Sequence, residues 1–323
     1  MITIEGIKKM NQTLFVLGAA GYIGKTVIGQ AVESGWKVKA LVRTAESVAL
    51  VSGMGAQAVM GDAMKVDAWI DEARGSQAMV DLIQPKLPRR ISRRSIQQVA
   101  AYRLRVTREL LTHLKRLPES ERPLLFNVSG VDDLAPDKDG KISHRSALVD
   151  EYAGFAYIGV PVRKLVESSG VKAVYIYLGT VYGPGKAFAD TVIPGLIKHR
   201  MPVIGSGSNR MAIVHVADAA RAVVHLAKQQ REIPAGSSWV VTDGSANTQA
   251  EFLDGIAALL QAKKPRRVPR WLASLIAGVV TAEVLTRDCR SDISALRQQG
   301  FELRYPDWRT GVPQMLKSLA YSI

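Results

Sequence analysis

The chain has 323 residues, 47% of them hydrophobic and 22% charged, with a single cysteine, Cys289. That balance describes an ordinary globular protein with length for one large α/β domain, or one domain with a smaller appendage. It excludes a disulfide framework and a Cys-rich metal site, so no metal is expected, and it points to a reducing cytosol. The net charge of +14 invites an anionic partner: a phosphorylated cofactor, an acidic substrate, an acidic protein or nucleic acid.

Met1 to Asn11 carries Lys8 and Lys9 with no long apolar stretch behind them, so no signal peptide is read there. Thr13 to Leu17 reads as a strand and Gly21 to Glu33 as a helix. Strands follow at Trp36 to Val42, Ala56 to Met60 and Ala78 to Ile83, then a long helix from about Ile96 to Leu117. Leu124 to Val128 is a fifth strand, Leu148 to Ser168 a helix and Val171 to Leu178 a sixth strand. Pro161 should break or kink the helix in which it falls. This rhythm predicts an α/β fold with a Rossmann-type, doubly wound parallel sheet covered on both faces.

After Tyr182 the rhythm loosens, with Gly and Pro at Gly183-Pro184-Gly185, Pro194-Gly195 and Gly205 to Gly207. Residues 1–182 are therefore expected to carry the nucleotide-binding domain, with returning strands near 212–242 such as Trp239 to Thr242. Residues 183–323 read as a smaller C-terminal substrate-binding region interleaved with it. Trp271 to Leu285 is the most apolar run, but Ser274, Thr281 and Glu283 interrupt it. It falls short of the roughly 20 apolar residues a membrane span needs. A packed helix is one reading of it, contact with a membrane surface the other.

The run Gly18-Ala19-Ala20-Gly21-Tyr22-Ile23-Gly24 leaves a predicted strand and opens a predicted helix. In that context Gly18 turns the chain sharply, Gly21 lets backbone N–H groups approach a pyrophosphate, and Gly24 lets the helix sit close to the sheet. The helix N-terminus adds a partial positive charge for the phosphates, and Tyr22 and Ile23 fall inside the same turn. At the end of the second strand a carboxylate would bind a ribose 2′-hydroxyl and an arginine a 2′-phosphate. The sequence there is Leu41-Val42-Arg43-Thr44, with no acid before Glu46, which favours NADP(H); Lys39 and Lys25 are placed to assist.

With these residues the chain resembles the extended short-chain dehydrogenase/reductase family, also called epimerase/dehydratase-like, over nearly its whole length. Gly18 to Gly24 matches the family's glycine motif, and Gly61-Asp62 looks like its adenine-contacting aspartate. Thr180-Val181-Tyr182-Gly183-Pro184-Gly185 resembles its N-V-Y-G-P-G segment, and Ile213-Val214-His215-Val216-Ala217-Asp218 its F-V-H-V-D-D segment. The resemblance implies a serine, a tyrosine and a lysine at the reaction site, the last two as Y-x-x-x-K on one helix face. There the lysine lowers the tyrosine pKa and the tyrosine exchanges a proton with a carbonyl oxygen.

Here the pattern departs. Ser129 stands at the serine position, but Phe155 falls at the tyrosine position and Gly159 at the lysine position. Tyr157 is the nearest tyrosine that could stand in as proton donor beside Ser129. The family's R-P is Tyr177-Leu178, its R-D-F is Met211-Ala212-Ile213 with Arg210 just before, and its H-L-A-A is Asp81-Leu82-Ile83-Gln84. These changes argue against a sugar-nucleotide epimerase. Asp81, Tyr177, Tyr182 and Arg210 are the expected substrate contacts, since ligands bind at strand ends in such sheets. His144 reads as a loop bystander and His215 as structural.

From Leu82 to Arg108 there is no acidic residue but eight basic ones. A solvated face is one reading of this segment. The others are attraction of an anionic substrate or an acidic carrier protein; nucleic acid is disfavoured because no recognised module accompanies the charge. Three functions stay open: an NADP(H)-dependent oxidoreductase of a small carbonyl or alcohol with a replaced proton donor; a non-redox isomerase, cyclase or dehydratase that keeps the cofactor; and a non-catalytic NADP(H) sensor. The resemblance also implies a homodimer through the two long helices.

Overall fold

In the computed structural model the described residues are 12–185 and 188–321, so Met1 to Asn11 lies outside them. The strands of the main sheet are β1 (Thr13–Leu17), β2 (Lys37–Val42), β3 (Gln57–Met60), β4 (Ala78–Asp81), β5 (Leu124–Gly130), β6 (Ala173–Leu178) and β7 (Ser238–Val241). They form one sheet in the order β7-β6-β5-β4-β1-β2-β3. Every neighbouring pair is parallel. Chain order reverses between β1 and β4, which opens a crevice at their carboxyl ends. The strand expected to return near residue 239 joins the sheet edge as β7.

The helices of eight or more residues are α1 (Tyr22–Glu33), α2 (Ala45–Gly53), α3 (Arg93–Arg116), α4 (Ala156–Ser169), α5 (Val216–Lys228), α6 (Gln249–Leu259), α7 (Arg270–Ala277), α8 (Val279–Thr286) and α9 (Trp308–Ser318). Side chains alternate across each strand, so the sheet separates two cores. Leu14, Val16, Val80 and Phe126 pack with Val27, Ile28 and Val223 under α1 and α5. Phe15, Leu17, Met79 and Leu125 pack with Leu110, Leu114, Val162 and Val166 under α3 and α4. A third cluster joins Tyr182, Phe252, Trp308 and Met315 between α6 and α9.

Two expectations need correction. The helix expected from Leu148 begins only at Ala156. Residues before it are held by distant groups: Leu148 bridges Leu134, Gly154 N donates to Glu283 Oε2 at 3.0 Å, and Phe155 N donates to Asp132 Oδ2 at 3.1 Å. Pro161 does not break the helix, which runs on to Ser169. Its missing N–H forgoes only the bond to the carbonyl four residues back, that of Tyr157, in the helix's first turn.

The apolar run Trp271 to Leu285 is two short helices, α7 and α8, split at Gly278 (φ +96). A Cβ at Gly278 would collide with the backbone of Ile91, so the chain passes there only without a side chain. Among the described residues no helix is long and apolar enough to cross a membrane.

Candidate active site

The glycine turn sits at the crevice. Gly18 adopts φ +73, and a Cβ on it would lie 2.6 Å from the Leu82 carbonyl oxygen. A Cβ on Gly21 would lie 2.9 Å from Gly18 O, and one on Gly24 would press on Ala19 O at 2.7 Å. All three glycines are therefore required by backbone closeness, the last because α1 starts directly against the turn. Gly21 is the N-cap of α1, with no side-chain cap and no acid in the first turn. The first N–H groups of the helix are left for an anion. Tyr22 lies beside the turn, its ring 3.5 Å from where a Cβ on Gly185 would sit, and burial pushes its hydroxyl pKa up. Ile23 packs against the core under α1.

Arg43 is exposed just past β2, and Thr44 caps α2 by accepting from Ser47 N at 3.2 Å. Lys25 is also exposed. Lys39, expected to assist, is instead tied to Glu72, 2.8 Å from its carboxylate. Asp62, half-buried after β3, accepts from Met64 N at 2.8 Å and holds its loop in a tight turn.

Ser129 is partly exposed near the carboxyl end of β5. Its Oγ donates to Asp133 Oδ2 at 2.6 Å. Asp133 ends a short turn after β5, is 1% exposed, and its Oδ1 has no hydrogen-bond partner among the described residues. Burial pushes its carboxyl up from 3.8 to about 8, against the opposing hydrogen bond from Ser129. The reason it fits is Gly159: a Cβ there would fall on the Asp133 carboxyl. Where the family's lysine side chain would begin, this chain holds an aspartic acid.

The other expected site residues are placed differently. Tyr157 makes an edge contact with Tyr152 at 5.8 Å and lies under the Arg93 guanidinium at 5.1 Å. It packs with Phe155 against Ile91 of the loop before α3, Ile96 of α3 and Val280 of α8, and the partner of Ser129 is Asp133, not Tyr157. The expected proton donor is thus drawn into an apolar cluster. Asp81 is 1% exposed and pairs with Arg103 of α3, itself 4% exposed. Tyr177 is 1% exposed; its hydroxyl accepts from Arg163 Nη1 at 2.8 Å, and burial pushes its pKa up. Tyr182 is fully buried against Phe252 and His215. These three are internal rather than open to substrate, because their strand ends lie under α3, α4 and α9. Arg210 is engaged by Asp288, with Nε donating at 2.8 Å.

His215 is buried and structural: its Nδ1 accepts from Ala217 N at 3.2 Å at the start of α5. Burial pulls it from 6.5 to about 4, so it stays neutral at physiological pH. A cavity of about 300 Å³ opens next to the Ser129–Asp133 turn, bounded by Asp132, Gly154, Glu283, Val284 and Arg287. No group of His, Cys, Asp and Glu that could hold a metal occurs among the described residues.

A glycine-rich strand-to-helix turn at the switch point of a seven-stranded parallel sheet defines a dinucleotide-binding class of fold. The chain belongs to the NAD-dependent epimerase/dehydratase family, whose sequence profile matches residues 14–242. A 3-diazoavenalumate denitrifying reductase of a Streptomyces species is 24% identical over 309 residues, 93% of this chain and 98% of that protein. Human epimerase family protein SDR39U1, solved with NADPH, is 18% identical with a TM-score of 0.76, over 95% of this chain and 99% of that one. The dTDP-glucose 4,6-dehydratase of Bacillus anthracis, solved with NAD, is 15% identical with a TM-score of 0.72, over 95% and 96%.

Proposed function

We propose that the protein is an NADP(H)-dependent reductase of a small electrophilic molecule, in which Ser129 backed by Asp133 replaces the family's tyrosine–lysine pair. The observation that carries this reading is the 2.6 Å bond between the Ser129 hydroxyl and a buried carboxyl lodged in the space of the missing lysine. The turn from Gly18 to Gly24, including Tyr22 and Ile23, would hold the pyrophosphate. Asp62 would meet the adenine and the exposed Arg43 the 2′-phosphate. Both neighbours share the fold alone; the NADPH-bound human one supports this choice of cofactor, and the NAD-bound dehydratase leaves NAD open.

When bound, the reduced nicotinamide supplies a hydride to the electrophilic carbon. With a carbonyl substrate the oxygen must gain a proton as the carbon gains the hydride. Ser129 donates that proton from Oγ and recovers it from the Asp133 carboxyl, which holds one at neutral pH because burial opposes its charge. Solvent then reprotonates Asp133, so the net change is R₂C=O plus hydride plus one proton giving R₂CHOH.

The name of the Streptomyces relative adds a second class of electrophile. A diazonium carbon that accepts hydride releases dinitrogen, R–N₂⁺ + H⁻ → R–H + N₂, and needs no proton donor. A protein whose usual donor is gone suits that chemistry equally well. The assay is NADPH oxidation with panels of carbonyl and diazonium compounds. Turnover of either class is the expected result, and Ser129→Ala should suppress carbonyl reduction while leaving diazonium reduction intact.

A non-catalytic NADP(H)-binding role is favoured by one observation. Phe155 fills the usual tyrosine position and is sealed against Ile91 and Val280. Tight cofactor binding without turnover of any panel member would establish that role instead. For the cofactor itself, Arg43→Ala should weaken NADPH binding by about 10- to 100-fold, the worth of a charge-assisted phosphate contact. NADH binding should be unchanged, as titration of the reduced-nicotinamide fluorescence would report; equal losses for both would remove Arg43 from the 2′-phosphate.

A further inference from the structure

Helix α7 turns apolar side chains outward. Trp271 is 68% exposed, Leu275 59% and Ile276 71%, while Ala273 faces inward towards Ala282 and Ile204. Only six large hydrophobic side chains are exposed among the described residues, and three of them lie on this eight-residue helix. Isolated exposed apolar residues need no explanation, but a ridge of three does.

The ridge is bordered by positive charge from two directions. The chain enters α7 through Lys263, Lys264, Arg266, Arg267 and Arg270, all exposed, with no acid between Asp254 and Glu283. The second border is the acid-free loop after β4. Ile91 N donates to Ala277 O at 3.0 Å, and Val280 N donates to Ile91 O at 3.2 Å, which fastens that loop to the α7–α8 junction. The loop and the first turn of α3 bring exposed Lys86, Arg89, Arg90 and Arg94 alongside. None of these nine side chains appears in an ion pair among the described residues. In the segment after β4, Arg93 is neutralised by Glu283 and the buried Arg103 by Asp81.

We propose that α7 and its two basic flanks form a docking surface for an anionic phospholipid bilayer, with Trp271, Leu275 and Ile276 entering the boundary between headgroups and acyl chains and the flanking cations lying on the lipid phosphates. Eight residues span about 12 Å, enough to lie in the interface and too short to cross it. Tryptophan prefers that boundary because its ring is apolar and its N–H polar. A bilayer offers one sign of charge across its whole surface, matching cations that no acid interrupts; a protein partner would present acids at fixed points only. Arg270 also lines the cavity beside the Ser129–Asp133 turn, but Trp271, Leu275 and Ile276 do not; vesicle binding is read without turnover, so its failure would leave the proposed reductase untouched.

Trp271 supplies the probe. The other four tryptophans, Trp36, Trp69, Trp239 and Trp308, are each at most 7% exposed. Emission quenched by acyl-brominated lipid therefore reports Trp271. The full chain should sediment with phosphatidylcholine vesicles containing about 30% phosphatidylglycerol, and bind pure phosphatidylcholine at least about tenfold more weakly. Binding to the anionic vesicles should weaken at about 0.5 M salt. Leu275→Glu with Ile276→Glu should abolish the quenching, and Lys263→Glu with Lys264→Glu should weaken sedimentation. Unchanged far-UV circular dichroism would show that each variant is folded, as their exposure leads us to expect. No sedimentation with anionic vesicles at low salt would overturn the proposal. So would binding without Trp271 quenching, which is adsorption by charge alone, or a dimer in light scattering that Ile276→Glu disperses, which assigns the ridge to a second copy of the chain.

Discussion

Asp133→Asn is expected to lower carbonyl reduction by about 10²- to 10⁴-fold, the range for loss of a positioned proton source, and at the same time to make the protein more stable at alkaline pH. The two effects have one origin. The folded chain keeps the Asp133 carboxyl protonated up to about pH 8, whereas the unfolded chain ionises it near 3.8. Across that window the folded state binds the extra proton, so this group's contribution to stability is present below 3.8 and is lost as pH rises through 8. Asparagine has no such loss, so the variant should gain on its parent by about 1–3 kcal/mol at pH 8 and lose that advantage towards pH 4. The amide can still accept from Ser129 Oγ, so the serine stays in place and KM should change little. Asp133 acts through Ser129 as a positioning residue. Its signature is the pH profile: the parent rate should fall as pH rises above about 8, and the variant should lack that limb. Equal alkaline limbs in both proteins would remove Asp133 from the proton path.

The same residue shows where the sequence stops being legible. The strands of the sheet could be read to within about two residues because β-branched runs between turn residues carry their signal locally. The Gly18 to Gly24 turn was legible for the same reason: its steric needs involve Leu82 and Ala19 but are met by glycine alone. Helix α2 was not read, being short and only weakly amphipathic, with Val51 its one buried residue. The start of α4 was misread because residues 148–155 have helical-looking composition, while the groups that hold them, Asp132, Leu134 and Glu283, come from elsewhere in the chain. Asp133 was missed although a signal existed. A glycine in place of a lysine on a helix facing a sheet leaves a hole, and a buried neighbour must fill it or a cavity remains. The pair Asp132-Asp133 just after the β5 serine offered a candidate, but only the fold brings Asp133 to Gly159. Asp81 failed in the opposite way: its strand-end position suggested substrate, and its partner Arg103 lies 22 residues further on, in a segment read as a solvated face or as attracting an anionic partner.

That pair should dominate a stability measurement. Asp81 and Arg103 are 1% and 4% exposed, and Arg103 Nη1 also donates to Thr107 Oγ1 at 2.7 Å. Arg103→Met leaves a buried carboxylate with only the Ile83 N–H, 3.1 Å away, to compensate it. The expected loss is about 3–5 kcal/mol, whereas replacing both partners by apolar residues of similar volume is often neutral or stabilising. Urea denaturation of Arg103→Met should therefore show a large fall in midpoint, and the double variant Asp81→Leu, Arg103→Met should recover most of it. Two additive losses would mean that the pair is not coupled. The consequence reaches the cofactor turn. Asp81 Oδ1 holds Ile83 N, and Leu82 between them donates to Leu17 O at 3.1 Å and presents the carbonyl against which Gly18 is packed. The double variant restores the core but not the hydrogen bond to Ile83. It should refold to near-parental stability and still bind NADPH more weakly than the parent, which separates the pair's contribution to the fold from its contribution to the shape of the crevice.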